Sequence, residues 1–131
     1  AAMDEQNQPP PAVIVRRIVG AIPRGRAASY GTVGRAAATF ARPIGGARTV
    51  AWILASLKGK DETPWHRVVG AGGRILLPDR RGALQARRLR SEGVRFTRTA
   101  IEPGCLVGEE ELLTLLFRSL APRRGRGRAN D

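Results

Sequence analysis

At 131 residues and 42% hydrophobic composition the chain has material for one domain around a single core, and no apolar run is long enough to cross a membrane. One cysteine and one histidine exclude an internal disulfide and the usual zinc sites. With 23 Lys+Arg against 11 Asp+Glu the formal net charge is +12, so the default partner is a polyanion, and nucleic acid is a better reading than a merely solubilising surface.

The first ten residues are polar and proline-rich and predict a disordered segment. They lack the basic flank and apolar centre of a signal peptide, which points to an intracellular protein. From Pro11, the residues Val13, Ile14, Ile18 and Val19 recur at helical spacing, predicting a helix over residues 11 to 20 that closes at Ile22-Pro23-Arg24-Gly25. Ser29 is placed to cap a second helix with Val33, Ala36, Ala37 and Phe40 on its buried side. After a break at residues 42 to 46, a third helix from Ala47 to Leu57 carries an apolar stripe of Val50, Ile53, Leu54 and Leu57. Trp52, inside that helix, is expected in the core. Two short helices joined by a glycine-containing turn outline a helix-turn-helix, and Arg48 falls in the first turn of the second, the end that enters a groove in such motifs.

Pro64-Trp65-His66-Arg67-Val68-Val69 comes next and places an indole between a proline and the chain's single histidine. The setting is that of an active site, yet indole is no nucleophile, acid or base. Val68-Val69 and Arg74-Ile75-Leu76-Leu77, separated by Gly70-Ala71-Gly72-Gly73, predict a β-hairpin forming a wing beside the helices. A basic helix follows from Ala83 to Arg90, with Gly93 as the residue that ends it. Val94 to Arg98 reads as a short edge strand, and Glu109 to Leu120 as an amphipathic helix headed by glutamates that suit its positive end. Arg123-Arg124-Gly125-Arg126-Gly127-Arg128 predicts a flexible tail with nonspecific phosphate affinity. The expected class is α+β, a mostly helical winged helix-turn-helix domain with a small β-hairpin. The expected divisions are 1–10, a domain at 11–98, an extension with a helix at 99–120, and a tail at 121–131.

Over residues 11 to 98, the pieces Ile22-Pro23-Arg24-Gly25, Ser29-Tyr30-Gly31-Thr32-Val33, Ala47-Arg48-Thr49-Val50, the Pro-x-His-Arg-Val run at 64 to 68, and Leu89-Arg90-Ser91-Glu92-Gly93 occur together in order. In this the sequence resembles the C-terminal domain of the O6-alkylguanine-DNA alkyltransferases. Those enzymes hold their acceptor cysteine between the proline and the histidine. Trp65 stands there instead, the substitution that marks the alkyltransferase-like proteins.

The resemblance implies damage recognition without catalysis, with the helix-turn-helix in the minor groove. Arg48 would enter the base stack in place of an extruded nucleotide and Tyr30 would help rotate the adjoining phosphate, with Ser29, Thr49 and Arg35 beside them on the DNA. The lesion pocket would be formed by Trp65, Tyr30, Arg67, Val68 and Val69. His66 and Glu92 match the relay that activates the cysteine, and without a thiol they are expected to be structural, as is Arg67 in part. No metal or cofactor is implied. The implied partners are duplex DNA containing alkylated guanine and nucleotide excision repair proteins, and the expected state is a monomer associated with DNA in cytoplasm, nucleoid or nucleus. Leu57-Lys58-Gly59-Lys60 replaces the family's Asn-Pro hinge, which leaves the loop's shape and the pocket's size open. The alternatives are a general basic DNA-binding protein and a residual alkyltransferase using Cys105.

Overall fold

The computed structural model describes residues 9–40 and 46–120. Of the segments expected to be disordered or flexible, 1–10 and 121–131, residues 1–8 and all of 121–131 lie outside the described residues. Helix α1, Pro11–Gly20, begins with proline at its first position, where the missing N–H is not needed, and buries Ile14, Val15, Ile18 and Val19. Strand β1, Ala28–Ser29, runs straight into α2, Tyr30–Ala38. Ser29 makes the expected cap, its Oγ accepting from the Thr32 amide at 3.0 Å. α2 buries Val33, Ala36 and Ala37, and α3, Ala47–Ala55, buries Val50, Ile53 and Leu54. The two helices approach closely where Gly34 meets Gly46, since a Cβ at position 34 would fall 3.1 Å from the Gly46 backbone.

The expected hairpin over 68 to 77 does not form. Strand β2, Val68–Val69, pairs in parallel with β1, placing Ala28 opposite Val68 and Ser29 opposite Val69. Both valines are buried, so the strand has no solvated face, which suits an internal parallel pair better than a wing. The glycines serve another purpose. Gly72 and Gly73 have φ values of 73° and 86°. They carry the chain through a turn at Ala71–Gly73 so close to Ile101 that a Cβ on Gly73 would lie 3.0 Å from the Ile101 carbonyl. Arg74 then bridges antiparallel to Ala100, and Phe96, in the expected edge strand, bridges to Ile101.

Helix α4, Asp79–Ser91, begins four residues earlier than the sequence predicts and ends as expected, with Gly93 at φ 94°. Helix α5, Glu109–Leu120, buries Leu112 and Leu116 in the same core as α1, α2 and α3, so the residues expected as an extension complete the fold. Ion pairs Arg26–Glu111 at 3.0 Å and Arg35–Glu109 at 3.2 Å tie α5 down. A second cluster of Ala27, Val69, Leu89, Val94 and Ile101 lies under α4. β2 joins the two cores, sending Val68 into one and Val69 into the other, as alternate strand positions must. The architecture is α+β and mostly helical.

Candidate functional site

Trp65 opens a single 3-10 turn, Trp65–Arg67, between Pro64 and β2. It borders two cavities. The first, about 360 Å³, is walled by Tyr30 from the start of α2, by Ala51, Trp52, Leu54 and Ala55 of α3, by Leu77, and by Arg81 of α4. Apart from Arg81 and the Tyr30 hydroxyl its lining is apolar or aromatic. The second, about 470 Å³, is polar and includes Arg16, Asp61, Thr63, His66, Arg67 and Arg88.

Arg81 and Arg88 stand seven residues apart on α4, two turns and so one face, and both reach the indole. Their guanidinium carbons lie 4.8 Å and 5.4 Å from the centre of the Trp65 ring. Each such contact contributes about 0.5–1 kcal/mol at an exposed site, enough to orient a half-buried side chain. Burial raises the Tyr30 pKa, with Arg81 opposing, so the phenol stays neutral and can donate. Arg48 is exposed in the first turn of α3, with Thr49 half-buried beside it.

The other side of Trp65 is a closed hydrogen-bond network centred on Glu92. Arg67 donates from Nε to Glu92 Oε1 at 2.9 Å and from Nη2 to Oε2 at 2.8 Å, while its Nη1 reaches the Ile22 carbonyl at 2.8 Å. His66 Nε2 lies 2.8 Å from Glu92 Oε2. Gln85, buried on α4, donates to the carbonyls of His66 at 3.2 Å and Val68 at 2.7 Å, holding the turn against the helix. Burial pushes the Glu92 carboxyl up, but hydrogen bonds from Arg67 and His66, with their charges, outweigh it and hold the pKa at about 2. Burial lowers the His66 pKa against the pull of Glu92. The imidazole is therefore neutral near pH 7, donating from Nε2, with Nδ1 buried and unpartnered among the described residues.

Of the residues expected at the site, Tyr30 and Trp65 share the first cavity. Val68 and Val69 do not line it, because their side chains fill the two cores. Arg67 faces the second cavity and is committed to Glu92. Ser29 is occupied as the α2 cap, and Arg35 pairs with Glu109. Trp52, expected in the core, is 71% exposed and forms part of the first cavity's wall. The reason was available in the helix itself: the buried stripe is Val50, Ile53 and Leu54, and position 52 falls off it. Arg81, Arg88 and Leu77 were not anticipated. The spacing of the arginines was visible, but not the indole they face. Cys105 lies in the turn Pro103–Cys105 against the second core and lines neither cavity at Trp65.

A family profile described as 6-O-methylguanine DNA methyltransferase, DNA binding domain, matches residues 12–94. The structure of S. pombe Atl1 in complex with damaged DNA containing O6-carboxymethylguanine superposes with a TM-score of 0.62 at 27% identity, covering 82% of this chain and 98% of that one. A structure of S. pombe ATL in complex with DNA matches at a TM-score of 0.60 and 26% identity, with the same coverage. No curated protein sequence matches significantly. With the profile spanning most of the chain and an indole where the transferases carry their cysteine, the chain belongs to the 6-O-methylguanine DNA methyltransferase DNA-binding-domain family, in its alkyltransferase-like branch.

Proposed function

We propose that this protein binds O6-alkylated guanine in duplex DNA, leaves it chemically unchanged, and so flags it for nucleotide excision repair. The observation that carries this reading is Trp65 itself, a non-nucleophilic side chain in the acceptor position, forming the wall of a cavity it shares with Tyr30 and α3. Arg48, at the exposed end of α3, enters the base stack as a flat cation that can pair with the orphaned base. Tyr30 meets the adjoining phosphate with a neutral hydroxyl. An alkylated guanine pairs weakly, so extruding it costs less than extruding a normal base. The extruded base then rests on the Trp65 indole, a contact that contributes about 1–3 kcal/mol.

The S. pombe relatives bound to DNA, one of them at an O6-carboxymethylguanine, support this assignment. A reader that does not consume its lesion needs another enzyme to remove it, which is the basis for the excision-repair role. Its place is on DNA inside the cell, and among the described residues no helix is long and apolar enough to cross a membrane. A duplex carrying a labelled O6-methyl group tests the proposal. The label is expected to stay in the DNA while a stable complex forms, and label on the protein would restore the transferase reading through Cys105.

A further inference from the structure

Trp52 is the most exposed large hydrophobic side chain among the described residues, at 71%. The fold does not need it there, because α3 packs through Val50, Ile53 and Leu54. It lies one turn beyond Arg48, on the same side of the helix, and so travels with the residue that meets DNA. It also belongs to the wall of the Trp65 cavity, flanked on α3 by Ala51 and Ala55, whose small side chains leave the indole standing clear. Three separate elements thus bring three aromatic rings, Tyr30, Trp52 and Trp65, around one cavity whose remaining lining is aliphatic except for Arg81. A stacked guanine occupies one aromatic face. The others are left for whatever the base carries.

We propose that Trp52 is a specificity-determining residue that contacts the O6 substituent, so that the site ranks lesions by the apolar surface they present and favours aryl or other bulky alkyl groups over methyl. This deepens the function proposed above and rests on it. Contact between an apolar substituent and an indole face adds dispersion and hydrophobic burial that a methyl group is too small to collect. An indole that is already solvated also gains by being covered.

The test is equilibrium binding of the full chain, and of its Trp52→Ala and Trp52→Phe variants, to one duplex sequence carrying guanine, O6-methylguanine or O6-benzylguanine at matched salt. For the unsubstituted protein the benzyl lesion should bind tighter than the methyl lesion by roughly fivefold to tenfold, near the low end of a single aromatic contact. Trp52→Ala should remove most of that step while still preferring O6-methylguanine to guanine, and Trp52→Phe should restore part of it. The inference is overturned if the unsubstituted protein shows no benzyl preference, if Trp52→Ala keeps it, or if Trp52→Ala weakens all three duplexes equally, which would make Trp52 a groove contact only. Failure of the underlying function looks different: the unsubstituted protein would then bind methylated and unmodified duplexes alike.

Discussion

On the His66 side of Trp65, Glu92 is only 6% exposed in its side chain and holds His66 at 2.8 Å and Arg67 at 2.8 and 2.9 Å. On the Tyr30 side, aromatic and aliphatic groups face an open cavity of about 360 Å³ in which Arg81 is the one charged lining residue. The first region pairs the Arg67 and Glu92 charges internally, leaving His66 Nδ1 unpartnered among the described residues. The second keeps apolar surface open to a cavity even where Leu54, Tyr30 and Trp65 also pack on the core. On the function proposed above, the groups that would serve a cysteine's chemistry act as scaffold, and binding falls to the indole and the rings around it.

Breaking the Glu92 side should give the largest effect. Glu92→Ala leaves Arg67 and His66 without their carboxylate and should lower stability by about 3–5 kcal/mol in denaturant unfolding. The ratio of lesion to normal-duplex affinity should persist wherever the variant is folded. Trp65→Ala should do the reverse, costing about 1–3 kcal/mol of lesion affinity in equilibrium binding with little change for undamaged DNA. Arg48→Ala should likewise weaken lesion binding far more than deletion of residues 121–131. The deletion should reduce affinity for both duplexes together and flatten its salt dependence.

Acid should weaken the scaffold in two stages of the same sign. The His66 pKa is depressed in the folded protein, so as pH falls through about 6.5 the unfolded chain takes up the proton first and stability drops. The Glu92 carboxyl, at about 2 when folded against 4.5 as its ordinary value, stabilises fully above 4.5 and loses that contribution as pH falls toward 2. Thermal unfolding midpoints between pH 7 and pH 3 should show the decline, and Glu92→Gln should remove most of its lower part. The smallest effect belongs to Arg35. Its exposed pair with Glu109 is worth at most about 1 kcal/mol, and Arg35→Ala should cost that in unfolding without altering the lesion ratio. A loss of DNA affinity larger than the loss of stability would mark Arg35 as a DNA contact as well.

Some features are legible in the sequence because their physics is local. The bounds of α1 and α5, the Ser29 cap and the Gly93 terminator depend on neighbours within a turn or two. The misplaced hairpin came from a contact between segments far apart in the chain. Val68-Val69 next to a run of glycines has the local pattern of a wing, and only the pairing with Ala28-Ser29 shows that the glycines accommodate Ile101 instead. Periodicity shows which α4 residues share a face, Arg81 with Arg88, but not that the face meets Trp65. At the site, motif resemblance brought out Tyr30, Trp65, His66 and Glu92, and it passed over Trp52 and Arg81, which lie at positions the motifs do not name.

The most direct measurement is the affinity of the full chain for two duplexes that differ only by one O6-methyl group on guanine, taken at the same salt. A pocket walled by Trp65 predicts tighter binding of the methylated duplex, by about tenfold or more, and loss of that difference in Trp65→Ala. Equal affinity for the two duplexes would contradict it and leave a general basic DNA-binding protein.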